Sequence, residues 1–383
     1  MTSELSPYLD EGQILFRETV HRFMGKHAPP EFVREWDEKK ELPDGVIAAM
    51  AEQGWFAITL PEEYGGVGGS KELACLLESA GYHSLALARF WNINVNMIGG
   101  AIAAIGSDRL KREFLPRLAE GNIRFAFALS ENGSGSDAAA LKTRGDLKGD
   151  RLIINGTKMW ISGALTADYI LTACRTEPSS KRHDGISLVL VPRHATGIKI
   201  TPIDLLGGHA IRTCEVVLTD VEVSKDMVVG DLHSGWLQLL GIFAKERVAL
   251  AAMCVGAGQG AIDLAVNYCK QREQFGRRLT AFQAVAHKIV DMQVRIDAAR
   301  LLMYRSADLL ARGHPCNKEA SAAKLFSSEA YMQIAIDGIQ VMGANGYCME
   351  YAMQRHFREA KLFHIFGGTS EIHRNTIAKE MGL

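Results

Sequence analysis

Residues 151–162 read Arg-Leu-Ile-Ile-Asn-Gly-Thr-Lys-Met-Trp-Ile-Ser and introduce β-type patterning into a chain with helical patterns at both ends. Two β-prone runs flank Asn155-Gly156, a pair that suits the positive φ angles of a type I′ turn, so the stretch predicts a β-hairpin. Further runs read as short strands bounded by turn residues, at 169–172, 186–191, 198–201 and 215–223. Together they predict a small β-barrel or sandwich.

Helical patterns lie on both sides of this β region. Before it, apolar residues recur at helical spacing, as in Phe16, Val20 and Phe23. After it, residues 281–312 contain neither Gly nor Pro and keep an apolar stripe at the same spacing. No strand–helix–strand alternation is found, which disfavours a doubly wound nucleotide-binding sheet. We predict an α+β fold with three domains, an N-terminal helical domain (1–121), a middle β domain (122–230) and a C-terminal helical domain (231–383).

Composition and charge exclude several classes of protein. The 383 residues carry a net charge of −1, so bulk electrostatics attracts neither nucleic acid nor an anionic membrane. The longest apolar runs, such as 248–255, are too short for a membrane span, and residues 1–6 lack the features of a secretory signal. The seven scattered cysteines form no CxxC pair, which predicts free thiols in a reducing cytoplasm and neither a disulfide framework nor a zinc site.

Residues 256–261, Gly-Ala-Gly-Gln-Gly-Ala, match a loosened dinucleotide-binding fingerprint. That motif requires a strand before it and a βαβ unit around it. The residues before it are rich in alanine and continue a helical stripe. We therefore interpret these glycines as a place where two helices approach closely.

Glu246 interrupts an apolar helical stripe. The other members of that stripe are Leu239, Ile242, Phe243, Leu250 and Met253. A carboxylate on an apolar face is costly unless it is paired or used, and burial raises its pKa toward values that suit a general base. On the pattern alone, a structural glutamate paired with Lys245, Arg247 or a residue elsewhere is the more common explanation, because ion-pair networks also bury acids.

Six segments, in one order over about 310 residues, resemble the signature segments of the acyl-CoA dehydrogenase family. They read Leu-Pro-Glu-Glu-Tyr-Gly-Gly-Val-Gly (60–68), Phe-Ala-Leu-Ser-Glu-Asn-Gly-Ser-Gly-Ser-Asp (127–137), Asn-Gly-Thr-Lys-Met-Trp-Ile-Ser (155–162), Gln-Arg-Glu-Gln-Phe-Gly (271–276), Gln-Val-Met-Gly-Ala-Asn-Gly-Tyr (340–347) and Gly-Thr-Ser-Glu-Ile (368–372). Each segment alone is weak, whereas six in register are specific.

The resemblance implies an architecture and an activity. The expected fold is an N-terminal α-helical domain, a middle β-barrel or sandwich domain and a C-terminal four-helix bundle. The expected assembly is a homotetramer that holds FAD between the β domain, the C-terminal helices and a neighbouring subunit. The expected reaction is α,β-dehydrogenation of an acyl-CoA in fatty acid metabolism, with electrons passed to an electron-transferring flavoprotein.

The resemblance also implies roles for individual residues. Those expected at the flavin ring are Leu129, Ser130, Gly135, Ser136, Trp160 and Ser162. Those expected at the diphosphate, the adenosine or the last FAD contacts are Arg272, Phe275, Gln283, Gln340, Gly343, Thr369 and Glu371. Those expected to contact the acyl thioester are Ser136, Arg247 and Gly368.

The catalytic base is implied by a departure from the commonest family pattern. Many members carry the base in a Tyr-Glu-Gly-Thr segment, which here reads Phe366-Gly367-Gly368-Thr369, and glycine cannot abstract a proton. A second pattern, that of the isovaleryl and long-chain types, places the base at the position of Glu246. The backbone N–H of Gly367 survives the substitution and is expected, with a flavin ribityl hydroxyl, to polarise the thioester carbonyl.

Several alternatives remain open at the level of sequence. One is a dehydrogenase that acts on a carrier-protein-bound acyl or aminoacyl thioester, and retained Arg247 only mildly favours CoA. A nitroalkane-type flavin oxidase is a less favoured alternative, because such an enzyme typically uses Asp as its base. A catalytically silent FAD-binding subunit is suggested by Gly367 and opposed by Glu246.

The acyl preference is also open, because a polar, aromatic run either shapes a functionalised acyl pocket or is hydrogen-bonded to itself. That run contains Trp91, Asn92, Asn94 and Asn96.

Overall fold

The computed structural model describes residues 8–177 and 183–383. The segment 1–6, in which we expect no secretory signal, lies outside the described residues. Helical N-terminal and C-terminal parts flank a central sheet, and this arrangement confirms the predicted fold class.

The N-terminal part is built from short helices. The first begins with a capping box, in which the Asp10 carboxylate accepts from the Gln13 N–H at 2.8 Å and the Gln13 side chain accepts from the Asp10 N–H at 3.2 Å. The helices are α1 (Glu11–His27), α2 (Pro30–Lys39), α3 (Asp44–Glu52), α4 (Ser70–His83), α5 (Leu85–Trp91), α6 (Gly100–Ile105) and α7 (Asp108–Ala119). A π-helical segment, Asn92–Gly99, joins α5 to α6.

The middle part is one hydrogen-bonded sheet of eight strands in the order β6-β7-β3-β2-β4-β5-β8, with β1 paired in parallel to β4. The strands are β1 (Phe125–Ala128), β2 (Arg144–Lys148), β3 (Arg151–Ser162), β4 (Tyr169–Arg175), β5 (Ile186–Pro192), β6 (Ile198–Pro202), β7 (Thr213–Ser224) and β8 (Val228–Val229). The runs predicted after the hairpin correspond to β4 to β7, whereas β1, β2 and β8 were not predicted.

The hairpin predicted at Asn155-Gly156 is wrong. Strand β3 runs straight through this pair, and the chain reverses at Gly149, where φ is +64°, between β2 and β3. Asn155 and Gly156 lie at a shift in the register between β3 and β7. The Asn155 side chain accepts from the Asp220 N–H at 2.8 Å, across the sheet. Pairing with β2 on one side and β7 on the other therefore outweighs the local turn preference of Asn-Gly.

The C-terminal part is a bundle of long helices in which α10 packs against α8, α9, α12 and α13. Its helices are α8 (Gly235–Gln271), α9 (Gln283–Ala311), α10 (Asn317–Met342), α11 (Ala344–Tyr347), α12 (Met353–Phe363) and α13 (Ser370–Glu380). A short hairpin of β9 (Glu273–Gln274) and β10 (Arg277–Arg278) follows α8.

The glycines at 256–261 lie inside α8, so no strand precedes them and the dinucleotide-binding alternative is excluded. A Cβ added at Gly256 would lie 1.9 Å from the Glu78 carbonyl oxygen, and one at Gly260 would lie 2.7 Å from the Tyr82 carbonyl oxygen. Glycine therefore lets α8 approach the backbone of α4. In the part of the chain that the structure describes, α8 alone is long and apolar enough to cross a membrane, but 78% of its most apolar window is buried, as in a core helix.

Candidate active site

Glu246 lies on α8 with 8% of its surface exposed. Burial raises the pKa of its carboxyl group to about 7, although the neighbouring charges of Arg247 and Lys324 act in the opposite direction. Among the described residues, no hydrogen bond or ion pair within 4.0 Å is found for this carboxylate. The Arg247 guanidinium instead donates to the Asn317 side chain. The structure therefore disfavours the alternative of a structural ion pair.

Gly367 faces the Glu246 carboxylate. A Cβ added at Gly367 would lie 3.7 Å from Glu246 Oε1, so a side chain at either position would project into the same space. The same Cβ would lie 2.2 Å from Cδ1 of Leu250, and the φ of Gly367 is +63°. Both the space around position 367 and its backbone conformation therefore favour glycine over any larger residue.

The loop that contains Gly367 and Gly368 is held from two helices. Lys324 Nζ on α10 donates to the Gly368 carbonyl at 2.6 Å. His373 Nε2 on α13 donates to the Gly367 carbonyl at 3.1 Å. Burial, reinforced by the nearby cations Lys324 and Arg247, lowers the pKa of His373 to about 3, so this ring is neutral near pH 7. Both carbonyls of the loop are thus fixed by side chains.

Lys324 was missed by the sequence analysis. Its side chain is fully buried, and burial lowers the pKa of its ammonium group to about 8 while Cys254 and Glu246 raise it. A signal was present, because Lys324 is the single charged residue between Glu319 and Glu329 on an otherwise small and apolar stretch of helix. A buried lysine beside a buried carboxylate is a common feature of functional sites.

The loop after β1 carries Leu129 and Ser130, both half-buried. The Glu131 carboxylate organises this loop by accepting from the Lys142 N–H at 2.7 Å, from the Thr143 N–H at 2.9 Å and from Lys158 Nζ at 2.9 Å. Lys158 also donates to the Leu129 carbonyl at 3.0 Å. The loop is thereby fixed against β3. Further along the same loop, Gly135 and Ser136 are exposed.

Trp160 is displayed at the surface by a break in the β3–β7 pairing. The register shifts between Lys158 and Ile161, Trp160 adopts a φ of +60°, and 48% of its surface is exposed. Two residues on, Ser162 Oγ lies 3.0 Å from Thr213 Oγ1. The Met159 N–H, next to Trp160, donates to the Ser130 carbonyl at 2.9 Å and so brings Ser130 close to this strand. An exposed aromatic side chain with Ser130 and Ser162 nearby fits the flat, polar-edged ring of a flavin.

Most of the remaining predicted FAD contacts occupy a different region. Arg272, Phe275 and Gln283 follow α8 at its C-terminal end, and Phe275 is 93% exposed. Gln340 and Gly343 lie at the end of α10, where Asn345 Nδ2 donates to the Tyr268 hydroxyl at 2.9 Å and so joins α11 to the end of α8. Glu246 and Arg272 are separated by roughly 40 Å of helix. Thr369 instead caps α13 beside Gly368, followed by the exposed Glu371.

These two regions together offer the chemistry that FAD requires. The first offers an aromatic face and hydroxyl donors, and the second offers an exposed arginine for the diphosphate. The described residues contain no cluster of His, Cys, Asp and Glu suited to a metal ion, and the seven cysteines are free.

The asparagines of the polar run at 91–96 form hydrogen bonds both within the run and with β1. Asn94 Oδ1 accepts from the Phe125 N–H at 2.6 Å, and Asn94 Nδ2 donates to the Phe90 carbonyl at 2.8 Å. Asn96 donates to the Asn92 side chain at 2.8 Å. Asn92 and Asn96 bond to each other, as one alternative predicts, whereas Asn94 also joins the run to β1, so these side chains hold the segment in place.

Comparison with known proteins gives matches along nearly the whole chain. The acyl-CoA dehydrogenase N-terminal, middle and C-terminal domain families match residues 10–122, 126–221 and 233–382, while our own boundaries remain predictions. The bovine mitochondrial short/branched chain specific acyl-CoA dehydrogenase is 36% identical, over 98% of this chain and 86% of its own.

Two further relatives are informative. Subunit CarC of the caffeyl-CoA reductase-Etf complex from Acetobacterium woodii is 31% identical, over 97% of this chain and 98% of its own. The solved structure of butyryl-CoA dehydrogenase from Megasphaera elsdenii superposes with a TM-score of 0.93 at 29% identity and covers 98% of this chain and 99% of its own. These findings confirm the resemblance on which the sequence analysis relied.

Proposed function

The chain belongs to the acyl-CoA dehydrogenase family, and on this premise we propose that it oxidises an acyl-CoA thioester to the trans-2-enoyl-CoA. Members of this family are FAD-dependent flavoproteins. The observation that carries the proposal is the buried Glu246 carboxylate, which has no ion-pair partner within 4.0 Å among the described residues and faces the Gly367 loop. A pKa of about 7 leaves a large ionised fraction at neutral pH and gives the carboxylate useful basicity.

Glu246 removes the α proton in this proposal. Bound FAD supplies the acceptor for the hydride that leaves the β carbon. The Gly367 N–H donates to the thioester carbonyl and stabilises the negative charge that develops there. This N–H makes no backbone hydrogen bond in the described part of the chain, whereas both neighbouring carbonyls are occupied by Lys324 and His373, so the loop presents a free donor.

The electron acceptor and the assembly are part of the proposal. We assign electron transfer to an electron-transferring flavoprotein, with support from the Acetobacterium relative, whose name places it in a complex with Etf. We propose a homotetramer, as the family resemblance implies, and the separation of Arg272 from Glu246 by roughly 40 Å of helix supports an FAD site shared between chains. Joining one chain's Trp160 group to another chain's Arg272 group completes a site that a monomer leaves divided.

Anaerobic bleaching of the bound flavin by a panel of acyl-CoAs tests the function. We expect one acyl class to bleach the wild type quickly and Glu246→Gln at least 10²-fold more slowly, as for the loss of a positioned base. Glu38→Gln, on the exposed face of α2, is the matched control. Near-wild-type reduction of Glu246→Gln refutes the assignment of the base. A fully loaded wild type that no acyl-CoA bleaches refutes the proposed substrate and directs attention to carrier-bound thioesters or to a silent subunit.

A further inference from the structure

Two carboxylates attract the guanidinium of Arg247. One is the buried Glu246, which precedes it on α8, and the other is the exposed Glu380 at the end of α13. Burial lowers the pKa of Arg247, whereas Glu246, Cys316 and Glu380 raise it. Among the described contacts, however, the guanidinium donates to a neutral partner, Oδ1 of Asn317. A neutral amide therefore holds a cation that either carboxylate attracts.

Asn317 bridges this cation and the exposed carboxylate. It is the first residue of α10, and the residue before it, Cys316, is buried in the core. Its Oδ1 accepts from Arg247, while its Nδ2 donates to Glu380 Oε1 at 3.0 Å. The opposite orientation of the amide would place its NH2 group against the guanidinium and its oxygen against the carboxylate. The two charges thus fix the direction of the amide, and the amide fixes the guanidinium.

The position of Arg247 matters to Glu246 because the two residues are consecutive on α8. Burial raises the pKa of Glu246, and the charges of Arg247 and Lys324 act against this. A cation that comes within about 4–6 Å of a carboxylate lowers its pKa by roughly 1–3 units. The titratable groups that surround this pair on α10 and α13, or directly before α10, are Cys316, Lys324, His373 and Glu380. Of these neighbours and Arg247, the guanidinium is the cation whose held position Asn317 determines.

We infer that Asn317 is a positioning residue that holds Arg247 away from Glu246 and so keeps the carboxylate unpaired. The inference rests on the proposed function, in which Glu246 removes the α proton. A base followed directly by an arginine is exposed to ion pairing, and a paired carboxylate is a weaker base. Glu380 contributes by orienting the amide, although it touches neither Arg247 nor Glu246 within 4.0 Å among the described contacts.

The pH dependence of flavin reduction tests this role. Asn317→Leu keeps the approximate size of the side chain and removes both hydrogen bonds. The released Arg247 is attracted to Glu246, so the rise of the rate with pH should move down by roughly 0.5–1 unit. Asn317→Asp still accepts from Arg247 and should not move the rise to lower pH. In an Arg247→Met background, Asn317→Leu should cause no further shift. Asn122→Leu, which removes an exposed hydrogen bond of 2.9 Å to Glu120, is the matched control.

Urea unfolding at pH 8 gives a second measurement, which needs no reduction of the flavin. Burial raises the pKa of Glu246 in the folded chain, so its ionisation is destabilising and Glu246→Gln should stabilise the protein at this pH. A closer Arg247 lowers that pKa, so Glu246→Gln should stabilise Asn317→Leu by less than it stabilises the wild type.

An unchanged pH profile, a shift to higher pH, a shift that persists in the Arg247→Met background or an unchanged gain in urea overturns the inference. If no acyl-CoA bleaches the flavin of the wild type, the proposed function fails, and the urea comparison still decides whether Asn317 controls the ionisation of Glu246.

Discussion

The ammonium nitrogen of Lys324 lies 2.6 Å from the carbonyl oxygen of Gly368 and ties α10 to the loop that faces Glu246. The same cation lowers the pKa of the Glu246 carboxyl group. One buried side chain therefore acts on both partners of the proposed chemistry, because it fixes the loop that presents the Gly367 N–H and favours the ionised base. Neither effect requires Lys324 to touch the substrate, which makes it a positioning residue.

Replacing Lys324 with Met should shift the pH dependence of flavin reduction. In the wild type the rate should rise with pH through about 7, as Glu246 ionises. Removal of the cation raises the pKa of Glu246, so the rise should move to higher pH. Loosening of the loop should also lower the maximal rate by roughly 10–10²-fold. Stopped-flow measurement of flavin reduction between pH 5.5 and 9 gives both the pH profile and the maximal rate. Lys318→Met, exposed on the same helix, is the control, and a lower rate without a shifted profile would mean that Lys324 is merely structural.

Glu246→Gln should be more stable than the wild type at alkaline pH. The carboxyl pKa is about 7 in the folded chain and near 4.5 when unfolded, so stability is lost as pH rises from 4.5 through 7 and the buried group ionises. The amide does not titrate. Urea unfolding at pH 8 should therefore favour the variant by up to about 3 kcal/mol, and the difference should narrow steadily toward pH 5. A constant difference across this range would show that burial does not raise this pKa.

Moving the carboxylate from 246 to 367 should require a change at Leu250. Glu246→Ala combined with Gly367→Glu places a carboxyl in the same space, but the new Cβ meets Leu250 Cδ1 at 2.2 Å. Adding Leu250→Val removes that methyl. We expect the triple variant to reduce its flavin at least tenfold faster than the double variant, measured anaerobically with one acyl-CoA. Leu250→Val alone is the control for altered packing, and equal rates in the double and triple variants would contradict the shared location.

Gly256→Ala should destabilise the junction of α4 and α8. The added methyl would lie 1.9 Å from the Glu78 carbonyl oxygen, so the helices must separate, at a cost of about 1–3 kcal/mol. Gly241→Ala lies on the exposed surface of the same helix with nothing within 4 Å of the new Cβ, and it should stabilise by about 0.5–1 kcal/mol. The midpoints of urea unfolding are compared between the two variants. Equal midpoints would show that α8 and α4 are not in close contact.

The sequence could predict features that depend on spacing along one element. The buried face of α8 around Glu246 follows from helical periodicity, and the small residues near Gly256 follow from the need for close packing. Features that depend on distant partners were missed or mistaken. Asn155-Gly156 favours a turn locally, but β7, which includes Asp220, pairs across it. Arg89 and Ser162 come together only when α5 packs against β3.

The length of α8 has a consequence for how the site is encoded. Glu246 near its beginning and Arg272 just after its end are joined by one uninterrupted rod, so their relative direction is set by helical phase. Each residue turns the helix by about 100° and advances it by about 1.5 Å. Inserting one residue between them would point the two groups in different directions around the axis, although every contacting side chain would remain. The number of residues between Glu246 and Arg272 therefore matters for function as much as the identity of these two side chains does.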